Sequence, residues 1–255
     1  MKIVILGSGN VATHVGIAIR NLGHEILQVY SRNQANAQAL ADVLDTSAIA
    51  DLSDINKTAD LYLLAVSDQA IVPLVNLLPK NINGIVVHCS GATDSNVLSE
   101  FQRYGVIYPP QSIKKNFDSR LQEIPFAVEG NIPSTANTLL TLMASISSKS
   151  FLCTSQQRLA LHTAAVFANN FTNALFQISY DILQEQNLPF DLLKPIILET
   201  ANKVQTNTPK DIQTGPAQRN DQLTIQKHLQ FLSKKPNWLK IYQQLTEEII
   251  SKRDK

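Results

Sequence analysis

The sequence predicts a doubly wound α/β domain over residues 1–152, followed by an all-α domain over residues 153–255. Three observations carry this reading. Short β-rich apolar runs alternate with helical segments from Met1 to Leu152, and the first run ends in a Gly-x-Gly turn that leads straight into a helix. After Cys153 strand-like runs cease.

The first strand is Met1 to Leu6, and Gly7-Ser8-Gly9-Asn10-Val11-Ala12 follow it. A strand ending this way places backbone N–H groups at the positive end of a helix dipole, where a pyrophosphate can sit without a side chain in the way. Ala12 stands where only a very small side chain lets helix and strand pack closely, and the helix from Val11 to Leu22 ends at Gly23. Glu25 to Tyr30 is the second strand. At its carboxyl end, where an acidic residue would hold the ribose 2′-OH of NAD, the chain has Ser31-Arg32-Asn33. A guanidinium with hydroxyl and amide neighbours suits a 2′-phosphate, so the expected cofactor is NADP.

Further strands are expected at Leu61 to Val66, Ile85 to His88, Gly105 to Tyr108, Phe126 to Glu129 and Ser150 to Leu152. Continuous apolar runs separated by helices predict a parallel sheet covered on both faces. Thr154 and Gln157 form a capping box, and no proline or glycine interrupts Ser155 to Gln186. That helix would be roughly 45 Å long and needs a large surface to pack on. Helices from Phe190 to Asn207, Gln218 to Ser233 and Pro236 to Lys252 complete the second domain, which a second copy is expected to help cover.

Composition limits the partners. With 22 Lys and Arg against 21 Asp and Glu, and no local basic run, neither nucleic acid nor a membrane is expected as a partner. The apolar stretch after Lys2 stops at Gly7 without a cleavage pattern, so it reads as a strand of the mature fold. Cys89 and Cys153 lack metal-ligand or redox spacing and are expected to be reduced, buried small hydrophobes of a cytoplasmic protein that holds no metal.

Ligands of open α/β sheets bind beyond the carboxyl ends of the strands. Val66-Ser67 ends one strand there and is assigned to the cofactor. Cys89-Ser90-Gly91-Ala92 ends another, where glycine lets backbone amides and the Ser90 hydroxyl approach a nicotinamide or substrate; the alternative is a turn into a helix capped by Asp94 or Ser95. On the long helix His162 and Asn169 are seven residues apart, which puts them within about 20° of one face. The surrounding residues are apolar or small, so both polar groups need partners, in a ligand cleft or within the core. Between later helices, Gly215-Pro216 fixes a turn, Asp221 can cap the next helix, and Arg219 either meets an anion or is solvated.

Together, Gly7 to Ala12, His88 to Ala92, His162 to Ala165 with Asn169-Asn170-Phe171, and Thr214 to Pro216 with Arg219 and Asp221 resemble an uncharacterised family. Its members join a Rossmann-like domain to a helical domain of unknown function, numbered 2520. More distantly the chain is similar to the pyrroline-5-carboxylate reductase and 6-phosphogluconate dehydrogenase group. Those enzymes bind NAD(P) on the first domain, dimerise through the helical one and react at the cleft between them. In 6-phosphogluconate dehydrogenases the long helix carries a histidine, a lysine three residues on and an asparagine four beyond that. Here His162 and Asn169 match the outer two, and Ala165 takes the lysine's place. Tyr108 before Pro109 is a second departure, since the family tends to have histidine there.

The resemblance and the motifs imply an NADP(H)-dependent oxidoreductase acting on a small carbonyl, imine or hydroxy substrate, and a homodimer built on the helical domain. His162 would handle the proton, with Asn169 and Ser90 orienting the reacting groups. Gly91, Asn170 and Arg219 would contact substrate. The competing expectation, which the absent lysine allows, is an NADP(H)-binding sensor or scaffold without turnover.

Overall fold

The structure, a computed structural model, describes residues 1–112 and 120–253. Its strands are β1 (Lys2–Leu6), β2 (Glu25–Tyr30), β3 (Ser47–Ile49), β4 (Leu61–Leu64), β5 (Ile85–His88), β6 (Tyr104–Tyr108), β7 (Ala127–Gly130) and β8 (Phe151–Leu152). They form one sheet in the order β3-β2-β1-β4-β5-β6-β7-β8. The direction of travel reverses between β1 and β4, which opens a crevice beyond their carboxyl ends.

Alternation within the strands builds two apolar layers. Ile3, Ile5, Leu61, Leu63 and Val87 point to one side with Ala12 and Val15 of α1 (Asn10–Asn21) and Leu40 of α2 (Gln34–Leu44). Leu139 of α4 (Pro133–Ala144) belongs to the same layer. Val4, Leu6, Tyr62, Leu64 and Val86 point to the other side with Ile71, Leu74 and Val75 of α3 (Asp68–Leu77). Both faces of the central strands are therefore dry, as a continuous apolar strand requires.

The fully parallel sheet expected from the sequence needs correction at one edge: β7 runs antiparallel to β6 and β8 runs parallel to β7, so both oppose β1–β6. A parallel crossover takes a helix-length connection. Between β6 and β7 the described residues offer only one short 3₁₀ turn, Leu121–Glu123. β3 is not anticipated by the sequence, because three residues at a sheet edge carry too little pattern to read.

The capping box forms as expected: Gln157 N donates to Thr154 Oγ1 at 3.2 Å and Thr154 N donates to Gln157 Oε1 at 2.9 Å. The long helix it starts is not uniform. α5 (Ser155–Ala165) passes through a π-helical segment, Val166–Phe171, into α6 (Thr172–Glu185). The compact units divide within that segment, as Met1–Asn169 and Asn170–Lys255.

The second unit continues with α7 (Lys194–Lys203), α8 (Gln222–Phe231) and α9 (Pro236–Arg253). α7 is shorter than the expected helix, since a 3₁₀ turn occupies Phe190–Leu193. α8 starts four residues later than expected because Asp221 is its N-cap, accepting from Thr224 N at 3.1 Å. Among the described residues no helix is long and apolar enough to cross a membrane.

Candidate functional site

The turn after β1 is shaped by contact and then left open. Gly7 has φ +123°, and a Cβ there would lie 2.2 Å from the Ala65 carbonyl oxygen, so no other residue fits. Gly9, by contrast, would place a Cβ in open space. It is the N-cap of α1, contributes no side-chain cap, and no acidic residue follows in the first turn. The positive end of a twelve-residue helix thus faces the crevice with no side-chain cap from its N-cap residue and no acidic residue in its first turn. Ala12 is fully buried beneath the turn, while Asn10 and Val11 begin the helix.

A cleft of about 470 Å³ occupies this crevice, within the size range of small-molecule sites. It brings together Gly7, Ser8, Gly9, Ser31, Arg32, Val66 and Ser67, all of them residues that the sequence assigns to a cofactor. The Ser8 hydroxyl donates to Ser31 Oγ at 2.9 Å, joining the first two strand ends. Arg32 is exposed on the wall. Asn33 has a local task as N-cap of α2, accepting from Asn36 N at 3.1 Å.

Beyond β5 and β6 lies a second cluster in the same unit. Tyr108 Oη and His162 Nδ1 are 2.9 Å apart, with the rings edge to face at 5.7 Å between centroids. Tyr108 is buried and His162 half-buried. Gly91 lies directly against the pair: a Cβ on it would sit 2.7 Å from His162 Cγ and Nδ1 and 2.8 Å from Tyr108 Cζ. His162 therefore has a side-chain partner in the Tyr108 hydroxyl. Ser90 Oγ accepts from Ala92 N at 3.2 Å and Thr93 N at 2.9 Å, and Asp94 accepts from Asn96 N at 2.8 Å, so the loop is also a capped turn.

Arg158, one turn before His162 on α5, fixes this loop. Its side chain is 1 % exposed. It pairs with the Glu129 carboxylate, donates from Nε to the Ser90 carbonyl at 3.2 Å, and donates to the Thr93 carbonyl. Ser95 and Ser155 hydroxyls complete the Glu129 carboxylate at 2.7 and 2.8 Å. Neither Arg158 nor Glu129 stands out in the sequence. The available signal is the i, i+4 spacing of Arg158 and His162, which puts both on one helix face.

His88 ends β5 fully buried. Its Nδ1 accepts from Ser90 N at 3.2 Å, while Nε2 has no hydrogen-bond partner among the described residues. Burial first, and the Arg158 charge next, push its imidazole down to about 4. The fold therefore favours the neutral ring. That contribution, up to about 3 kcal/mol for such a shift, is full above the unfolded value of 6.5 and is lost as pH falls through about 4. Melting temperature should accordingly fall more steeply with acidification in the parent than in His88→Gln. Parallel curves would show that the ring does not carry the acid sensitivity.

The division between the units leaves Asn169 in the first and places Asn170 and Arg219 in the second. Asn169 and Asn170 are exposed within the π-helical segment, which begins four residues after His162. Its i→i+5 bonding breaks the simple seven-residue stripe expected for His162 and Asn169. In the second unit Arg219 is exposed in the turn before α8. Cys89 and Cys153 are free thiols and half-buried, where burial was expected, because each lies at a strand end; burial pushes the Cys89 thiol up to about 12.

A doubly wound sheet with a glycine turn at its switch point, followed by a helical region, defines a two-part Rossmann-like protein. The chain belongs to the family that joins a Rossmann-like domain, matched over residues 1–113, to a domain of unknown function, DUF2520, matched over residues 124–249. It is 35 % identical to a protein of Bacteroides fragilis described as a candidate NADP oxidoreductase, over 98 % of both chains with a TM-score of 0.85. Protein TM1727 of Thermotoga maritima is 22 % identical over 99 % of this chain and 98 % of that one, with a TM-score of 0.77. A 1-pyrroline-5-carboxylate reductase of Streptococcus pyogenes is 16 % identical over 98 % of both, with a TM-score of 0.67. The last two likenesses are of fold alone. No curated protein matches the chain.

Proposed function

We propose that the chain is an NADP(H)-dependent oxidoreductase acting on a small carbonyl, imine or hydroxy substrate. The observation that carries this reading is the uncapped N-terminus of α1, open over Gly9 and facing a cleft walled by Ser31 and Arg32. The description of the B. fragilis relative points the same way. Backbone N–H groups of Ser8 and Gly9 would hold the pyrophosphate, Ser8, Ser31 and Arg32 the 2′-phosphate, and Val66 and Ser67 the opposite wall. The bound cofactor supplies or accepts hydride at C4 of its nicotinamide. His162 handles the accompanying proton, Ser90 and Asn169 orient reacting groups, and Gly91, Asn170 and Arg219 contact substrate.

NADPH consumption against a panel of small ketones, aldehydes and cyclic imines tests this. Tight binding without turnover on any of them would overturn it in favour of a sensor or scaffold. Arg32→Ala should remove most of the preference for NADPH over NADH. A charge-assisted bond to the 2′-phosphate is worth about 1.5–3 kcal/mol, or about tenfold to a hundredfold in affinity. Calorimetry reads both constants, and equal affinities in the parent would refute the assignment.

We also propose a homodimer through the helical domain. α6, α7 and α9 contain no buried residue among those described, and Leu192, Ile196, Leu198 and Leu223 are all more than half exposed. Such surface is expected to be covered over at least about 1,000 Å². Light scattering should give twice the chain mass of 28.2 kDa, and a stable monomer at micromolar concentration would contradict it.

A further inference from the structure

We infer that Tyr108 is the proton donor to the substrate and that His162 is the positioning residue that restores its proton. This rests on the oxidoreductase reading and assigns a group that neither the glycine turn nor the absent lysine position implies.

The geometry favours the tyrosine at the reacting end. Its hydroxyl caps β6, three strands across the sheet from the Gly7 turn in the order β1-β4-β5-β6, at the carboxyl edge where ligands of such sheets sit. Gly91 has no side chain to separate the backbone from the two rings. The loop carrying Gly91 is pinned from beneath by Arg158, on the same helix face as His162. Ring, loop and helix are thus set as one unit. Burial, with the Asp68 charge second, raises the Tyr108 phenol above its usual range, so it keeps its proton at neutral pH and acts as an acid.

The charged and titratable groups around the pair are Asp68 at the start of α3, His88 on β5, Arg158 on α5, Glu129 on β7 and the Cys153 thiol. Arg158 and Glu129 satisfy each other and His88 is held neutral. The half-buried His162 ring is then the group of this cluster that both reaches solvent and bonds the Tyr108 hydroxyl.

The balance is simple. In reduction, the substrate carbon gains a hydride from the reduced nicotinamide. The π pair of its C=O or C=N bond moves to the oxygen or nitrogen, which takes the proton from Tyr108 Oη. The protonated His162 ring donates Nδ1–H to the tyrosinate, becomes neutral, and regains a proton from water. Oxidation of an alcohol or amine runs the same chain in reverse.

Tyr108→Phe and His162→Asn provide the test, with three readouts on the full-length protein. NADPH affinity by calorimetry should be unchanged in both. Turnover of whichever carbonyl or imine the parent reduces should fall about a hundredfold or more in Tyr108→Phe, and the inflection in its pH profile should vanish in His162→Asn. Without any cofactor, the NMR titration of the His162 ring should shift in Tyr108→Phe. Full turnover in Tyr108→Phe, or a His162 titration indifferent to it, overturns the inference while leaving the oxidoreductase reading intact. NADPH binding without turnover in the parent overturns that reading instead, and the inference with it.

Discussion

Arg158→Ala is expected to cost about 3–5 kcal/mol of stability, the usual loss when one member of a buried ion pair is removed. The guanidinium is 1 % exposed and the Glu129 side chain 15 % exposed, so water cannot replace the missing charge freely. Glu129 would keep only the Ser95 and Ser155 hydroxyls, and the Ser90 and Thr93 carbonyls would lose a donor. The double replacement Arg158→Met with Glu129→Met should cost less than the sum of the two single changes, since it leaves no unpaired charge. Urea unfolding of the parent, the two methionine single variants and the double measures this cycle, with Arg158→Ala read beside them. A loss under about 1 kcal/mol for Arg158→Ala would mean that the guanidinium does not hold the 90–93 loop.

The sequence makes the front of the molecule legible and leaves the back obscure, for a physical reason. Gly7 to Ala12 is readable because a tight turn, an open helix end and a close helix–strand approach each demand a residue type at a fixed local offset. The Thr154–Gln157 box is local in the same way. Tyr108 and His162, however, are 54 residues apart and meet only because β6 and α5 are brought together by the sheet. Glu129 and Arg158 are 29 apart and share that dependence. The antiparallel β7 is invisible because a buried strand has the same apolar run in either direction. The π-helical segment is hidden too: Val166 to Phe171 reads as ordinary helix, and one wider turn rotates everything after it.

The residues of the second unit are the least determined by pattern. Arg219 and Asp221 read as one motif in the sequence, yet Asp221 is an N-cap and Arg219 an exposed cation two residues earlier. Capping is a local demand and therefore readable. What Arg219 meets is set by tertiary partners that spacing does not encode.

The central claim is that the open end of α1 receives a dinucleotide pyrophosphate, and Gly9→Val tests it most directly. Gly9 has φ −79°, which any L-residue adopts, and no atom of the described residues lies within 4 Å of where its Cβ would stand. The fold should therefore tolerate valine with little change in melting temperature. The branched side chain would nevertheless occupy the approach to the Gly7-Ser8-Gly9 turn and the first turn of α1. Losing two charge-assisted hydrogen bonds costs about 3–6 kcal/mol, so NADPH affinity should fall about a hundredfold to ten-thousandfold in calorimetric titration. An unchanged melting temperature with NADPH affinity equal to the parent's would contradict the account, because the pyrophosphate would then have to bind somewhere other than the Gly7-Ser8-Gly9 turn.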